Sequence, residues 1–200
     1  MTRGLSWELL VPILYRYLFP AMWLSWAAYW WVSSRNVKSA VRHESLVSRL
    51  LHIGPLILAG ILLSVPNMPV RFLGERFLPL TTWLFVVAAA LTAAGLLFAV
   101  WARRYLGANW SATVTIKEGH ELIVGGPYAL VRHPIYTGLL LALVGSTMAI
   151  GEWRGVLAVA LASAALWRKL RLEERWMRQQ FGDVYGAYCR RVATLIPFVL

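Results

Sequence analysis

Five apolar stretches run along the chain, each separated from the next by polar or basic sequence. They lie at about Val11 to Val32, Leu50 to Val65, Leu78 to Trp101, Ile135 to Ile150 and Val156 to Trp167. A helix that crosses a bilayer needs about 20 mostly apolar residues, so the pattern predicts five membrane-spanning helices. The first carries Arg16 near one end. The second stops at "VPNMP", where two prolines cannot continue a helix. The fourth and fifth are parted by little more than Gly151 and Glu152, which predicts a tight helical hairpin. Past Trp167 the apolar positions Leu166, Leu170, Met177 and Phe181 keep helical spacing while Arg and Gln fill the other face, so the fifth helix should continue beyond the membrane. The polar, basic segment Ser33 to Arg49 reads as an amphipathic helix lying along the interface.

Composition agrees with this reading. The 200 residues are 59% hydrophobic and 14% charged, against roughly half and a quarter in soluble domains, and the excess sits in uninterrupted runs. The net charge of +11 fits a membrane protein better than a nucleic-acid binder, because most of the basic residues fall in the first loop, the third loop and the tail. By the preference of Lys and Arg for cytoplasmic loops, the N-terminus is outside and the C-terminus in the cytoplasm, and a bacterial inner membrane is the expected location. Eleven Trp residues suit the two interfaces. No cleavable signal peptide is read at "MTRGLSWELL". With Cys189 the single cysteine and His43, His52 and His120 at no metal-ligand spacing, no metal site is expected.

The chemistry concentrates in the second half, so we divide the chain into residues 1–101, three supporting helices, and 102–200, the catalytic region. Ala102 to Pro134 is a long connection that keeps many apolar residues and ends in "GGPYALVRHPIYTG", Gly125 to Gly138. Long loops in compact domains are usually functional or disordered. Two arms of some 17 to 20 residues, at about 1.5 Å rise each, return the chain to the same face at Glu173–Glu174. The tail "FGDVYGAYCRRVATLIPF" adds Tyr185, Tyr188, Arg190 and Arg191 there. Taken singly, Arg132 and His133 read as interfacial anchors, and Glu173 and Glu174 as surface acids paired with Lys169, Arg171 and Arg178. Together they offer a two-point fork for a carboxylate, acids for a cation, and flat faces at Tyr128 and Tyr136.

These segments resemble the isoprenylcysteine carboxyl methyltransferase family, within the wider phospholipid methyltransferase group. The matching pieces are "LGANWS" (Leu106 to Ser111), "HELIVGGPYALVRHPIYTG" (His120 to Gly138), Glu173–Glu174, and the tail from Phe181 to Phe198. The resemblance implies an all-α membrane enzyme with a cytoplasm-facing pocket for S-adenosylmethionine and a lipid-like substrate that enters from the bilayer. It places His120, Gly126, Pro127, Tyr128, His133, Pro134, Tyr136 and Glu174 around the cofactor, with Arg132 and Glu173 as the catalytic residues, Arg132 orienting a substrate carboxylate. Such a carboxylate is already ionised, so a single displacement by alignment and water exclusion needs no base. An amine acceptor would first have to lose a proton, with Glu173 or His133 as base. A phospholipid amine or small thiol as acceptor, a nicotinamide-dependent sterol-type ene reductase, and a non-catalytic membrane protein remain the alternatives.

Overall fold

The computed structural model describes residues 7–35, 40–65, 68–110, 115–117 and 122–199. They form helices α1 (Trp7–Ser33), α2 (Leu46–Ser64), the single turn α3 (Arg71–Gly74), α4 (Thr82–Leu106), α5 (Pro134–Ile150) and α6 (Trp153–Arg191). The five long helices occupy the five apolar stretches. Their ends follow local chemistry. Ser45 caps α2 by accepting the Ser48 N–H, which starts that helix earlier than apolarity alone suggests. Phe77 and Leu78 instead donate their N–H groups to the Gly151 carbonyl, so α4 starts only at Thr82.

Where Ser33 to Arg49 was expected to form one interfacial helix, Ser33 ends α1, Leu46 begins α2, and the described residues between them include extended chain at 40–43. Ala40–His43 (β1) pairs antiparallel with Thr115–Lys117 (β2). Backbone groups must find partners, and here a strand from the distant third loop supplies them. This two-stranded ribbon is the departure from an all-α chain; the fold is otherwise helical.

Small residues set the closest packing. On α4 and α5, Gly95 and Gly138 face each other so tightly that a Cβ on Gly95 would lie 2.4 Å from the Gly138 carbonyl oxygen, and one on Gly138 would lie 2.5 Å from that of Gly95. Gly145 meets Thr92 in the same seam. Such seams replace hydrophobic exclusion where lipid is the solvent, since close backbone contact gains dispersion energy. Ala59 and Leu62 of α2 pack on Ala158 and Ala162 of α6. Phe19 of α1 meets Phe85 of α4 edge to face at 5.9 Å, and Trp23 donates to the Ser146 hydroxyl at 3.0 Å.

These contacts fix directions: α1 runs with α4, and α5 and α2 run against α4 and α6 respectively. Residues 33–35, 40–46, 103–110, 115–117, 122–134 and 168–195 therefore gather at one end of the bundle, and residues 64–65, 68–82 and 150–154 at the other. At the second end Arg154 pairs with Glu152 at 2.6 Å and donates to the carbonyls of Leu62 and Val65. Among the described residues two helices, α2 and the stretch Thr82–Asn109, are long and apolar enough to cross a membrane. Only 17% and 33% of their apolar windows are buried, so their side chains, Leu50, Ile57, Ile61, Trp83, Val86 and Leu97 among them, face outward. A core helix of a soluble protein would bury most of that surface.

Candidate functional site

The loop that precedes α5 is shaped by two glycines and two prolines. Gly126 adopts φ +58° and, with Gly125, lies under the ring of Tyr105; a Cβ on Gly126 would come within 2.5 Å of that ring. Only glycine meets both demands. Pro127 and Pro134 are fully buried. They stiffen the turn of 3-10 helix at Gly126–Ala129 and the first turn of α5. Tyr128 is buried beside Trp110, Tyr136 and Leu170, and its carbonyl accepts the Tyr188 hydroxyl at 2.6 Å. Burial, with the nearby Glu173 charge, pushes the Tyr128 phenol well above its ordinary value, so it stays neutral.

The tail closes over this loop. Within α6, Gly182 takes a non-helical conformation (φ 50°, ψ −125°), and the kink presents Tyr185 and Tyr188 to the loop. The strand-like residues after α6 then run alongside it: Arg132 and His133 donate their backbone N–H groups to the carbonyls of Ala193 and Thr194 at 2.8 and 3.1 Å. Thr137 donates its hydroxyl to the Leu195 carbonyl at 2.7 Å.

Inside this clamp the predicted residues meet. Arg132 donates from Nε to Glu174 Oε1 at 2.9 Å, from Nη1 to the carbonyls of Cys189 (3.1 Å) and Val192, and from Nη2 to the Thr194 hydroxyl at 2.6 Å. Its guanidinium is thus committed to the protein's own acceptors. His133 stacks on Tyr136 with ring centroids 5.4 Å apart and planes 2° from parallel. Its Nδ1 lies 3.5 Å from Glu173 Oε2 and its Nε2 lies 3.4 Å from Glu174 Oε1. That Nε2 is buried and makes no hydrogen bond among the described residues. Tyr136 donates its hydroxyl to Glu173 Oε1 at 2.6 Å, and Lys169 approaches the same oxygen at 3.9 Å.

The electrostatics follow. Burial opposes the charge on Glu174, but the close His133 imidazole and the hydrogen bond and charge of Arg132 outweigh it, and its pKa falls to about 2. Glu173 is likewise lowered against burial, by His133, Lys169 and Tyr136. His133 moves the other way: burial disfavours its charged form, and the two glutamates override that and raise it. The two carboxylates are therefore ionised at neutral pH, and Glu173 keeps about a quarter of its side chain exposed (24%). Glu173 and Glu174 are matched by Lys169 and Arg132, so this partly open cluster of both charges beside a flat His–Tyr stack suits a ligand that carries charged groups and a planar ring.

Arg132, His133, Tyr136, Glu173 and Glu174 come together, and Tyr128, Gly126, Pro127 and Pro134 form the loop that positions them. His120 lies outside the described residues. Arg190 and Arg191 are on the site's end of the bundle but exposed. Thr137, Thr194 and the covering Tyr105 were not singled out from the sequence. Thr194, sixty-two positions beyond Arg132, carries no local signal at all; Tyr105 over "GG" was legible only as an aromatic shortly before the loop. Among the described residues no group of acidic, His or Cys side chains could hold a metal ion.

Comparison with known proteins converges on the same segment. The model of the phospholipid methyltransferase family matches residues 83–184. Protein-S-isoprenylcysteine O-methyltransferase B of Arabidopsis thaliana is 34% identical over 87 residues, 42% of this chain and 43% of that protein. Methanethiol S-methyltransferase 1 of Bradyrhizobium diazoefficiens is 38% identical over 72 residues, 36% of this chain and 24% of that one. The chain thus spans less than half the length of these relatives. Among solved structures, the eukaryotic intramembrane Ras methyltransferase ICMT superposes with a TM-score of 0.50 at 22% identity, over 80% of this chain and 55% of that one. That likeness speaks to the helical membrane fold.

Proposed function

The chain belongs to the phospholipid methyltransferase family, and from that premise we propose that it is an S-adenosylmethionine-dependent membrane methyltransferase, most like the isoprenylcysteine carboxyl O-methyltransferases. The observation that carries the reading is the meeting of Arg132–His133 with Glu173–Glu174 around the Tyr136 ring. S-adenosylmethionine, when bound, supplies a methyl group on a cationic sulfur. The residues present suit such a ligand: two ionised carboxylates for its positive groups, a flat His133–Tyr136 stack for its base, and a buried His133 Nε2 with no hydrogen bond of its own.

Each residue has a task in this reading. Glu173, the more exposed acid, contacts the ligand. Glu174 fixes His133. Arg132, whose donors are spent on Glu174 and the tail, positions the acid and locks the tail instead of reaching a substrate carboxylate. Gly126, Pro127, Tyr128 and Pro134 hold the loop rigid, and the buried Tyr128, Tyr185 and Tyr188 keep water from one side of the pocket. His120 is assigned to the cofactor by the family pattern. A carboxylate acceptor needs no base, so alignment and dehydration suffice. Residues 102–200 form the catalytic region. We read all five long helices as spans, with the clamp on the cytoplasmic side of a bacterial inner membrane, the N-terminus outside, and lateral access for a lipid tail.

Methyl transfer from labelled S-adenosylmethionine to farnesylcysteine, phosphatidylethanolamine and methanethiol, run side by side on detergent-purified protein, tests the assignment. Label on farnesylcysteine supports the carboxyl reading. Label on methanethiol alone favours the thiol reading, which the Bradyrhizobium relative keeps in play. Binding of a reduced nicotinamide without S-adenosylmethionine would overturn the methyltransferase assignment.

A further inference from the structure

Helix α2 lies outside the segment matched by the family model, yet it sends one polar side chain into the bundle. His52 is 1% exposed. Its Nε2 lies 3.5 Å from Glu44 Oε1, and both side chains are almost fully buried. Neither ring nitrogen makes a hydrogen bond among the described residues. A buried imidazole left in that state is expensive, and such groups in native proteins call for an explanation such as a bound ligand or a catalytic role.

Register places His52 at the site. The buried stripe of α2 is His52, Ala59 and Leu62. Ala59 and Leu62 meet Ala158 and Ala162 on the antiparallel α6. Seven residues back along α2 from Ala59 corresponds to seven residues forward along α6 from Ala162, which is Lys169. Two contacts check this register: Arg168 donates to the Ser48 carbonyl at 3.1 Å, and Leu56 packs against the cluster of Tyr136, Leu166 and Leu170. His52 therefore stands opposite Lys169, whose ammonium approaches Glu173 and lies 5.5 Å from the centre of the Tyr136 ring.

We propose that His52, backed by Glu44, is the residue that grips the carboxylate of the methyl acceptor. The inference rests on the carboxyl-methyltransferase reading above and fills a role that Arg132, committed to Glu174 and the tail, leaves open. One ring N–H faces Glu44 and the other donates to the acceptor carboxylate, which requires the imidazolium. The charged groups facing His52 are Glu44 on its own side and Arg168, Lys169 and Glu173 on α6. With His52 protonated, these cations outnumber the two carboxylates by one, and an anionic acceptor restores neutrality. Acceptor binding thus takes up a proton at His52. Both residues precede the segment that the family model covers, and in this proposal they act as a specificity element for the acceptor.

The test is calorimetry on the full chain in detergent, with S-farnesylcysteine and its carboxamide as probes and S-adenosylmethionine as control. For wild type the carboxylate binds more tightly than the carboxamide, and its apparent heat varies with buffer ionisation as proton uptake requires. His52→Gln weakens binding of the carboxylate by about tenfold, the worth of one charge-assisted hydrogen bond. It abolishes the proton uptake, leaves the carboxamide unaffected and keeps S-adenosylmethionine binding. Glu44→Gln shows the same pattern, smaller. Unchanged carboxylate affinity in His52→Gln overturns the proposal, as does equal loss of both acceptor and S-adenosylmethionine binding, which marks a packing role. Wild type that binds S-adenosylmethionine but neither farnesyl probe overturns the carboxyl-acceptor reading itself, and this proposal with it.

Discussion

The two ends of the α5–α6 hairpin use one device for different ends. At the turn, Arg154 pairs with Glu152 and donates to the carbonyls at the C-terminus of α2. At the open end, Arg132 pairs with Glu174 and donates to the carbonyls at the C-terminus of α6. In both, a guanidinium satisfies orphan carbonyls of a helix end and a carboxylate satisfies the guanidinium. A buried Arg–Glu pair is therefore not in itself a mark of function. What sets the open end apart is surplus: a second acid, a histidine shared between the two acids, a tyrosine and a lysine, none of which the closure of the helix requires. The difference teaches that the site is recognised by the groups left over once structure has been accounted for.

The largest effects come from removing the two arginines. Breaking a buried pair by deleting one partner costs about 3–5 kcal/mol, so Arg132→Met and Arg154→Met should lower the unfolding temperature in detergent to a similar extent. They should differ in ligand binding. On the protein that remains folded, Arg154→Met keeps wild-type affinity for S-adenosylmethionine, whereas Arg132→Met, by freeing Glu174 and the tail, loses it by an order of magnitude or more. Equal loss of affinity in both variants would break the comparison. Glu173→Gln sharpens it from the other side. The isosteric amide keeps the shape and removes the surplus charge, so S-adenosylmethionine binding should weaken about tenfold, as for one lost charge-assisted contact, with a smaller change in stability than either arginine variant.

A third effect, smaller again, concerns the loop. Gly126→Ala must place a Cβ at φ +58° under the Tyr105 ring, a strain of about 1–2 kcal/mol from the backbone alone. Adding Tyr105→Ala should recover the steric part and leave the backbone part, measured as a coupling in thermal unfolding of the single and double variants. No recovery would mean that Tyr105 does not lie where it is placed over the glycines.

Much of this was legible in the sequence, for identifiable reasons. Apolar runs mark helices, so the five long helices lie on the five apolar stretches, and among the described residues α2 and α4 are long and apolar enough to cross a membrane. The return of Glu173–Glu174 to Arg132–His133 followed from helix rise and a two-residue turn. The ribbon of β1 with β2 was not legible, because a strand's partner some seventy residues away leaves no local periodicity, and a basic polar stretch reads equally as an interfacial helix. The meeting of Arg132 with Glu174 was legible, but the orientation of Arg132 was not. Its acceptors are main-chain carbonyls at Cys189 and Val192, and carbonyls have no signature in the sequence. Conversely His52, dismissed as an isolated histidine for want of metal-ligand spacing, gains meaning only from the register of α2 on α6.

The smallest predicted effect is the dependence of stability on pH at the open end. His133 has a raised pKa in the folded protein. The stability it contributes is complete below its unfolded value of about 6.5 and is lost as pH rises through the folded value. Glu174 is the reverse. Its folded pKa of about 2 lies below the unfolded value near 4.3, so its contribution is present at neutral pH and is lost as pH falls through the acid range. The unfolding temperature should therefore decline on the alkaline side of about 6.5, where His133 gives up its proton beside two carboxylates, and again in acid. His133→Gln should flatten the alkaline decline and keep the acid one. An alkaline decline that persists in His133→Gln would place the responsible group elsewhere in the molecule and remove His133 from the charged cluster.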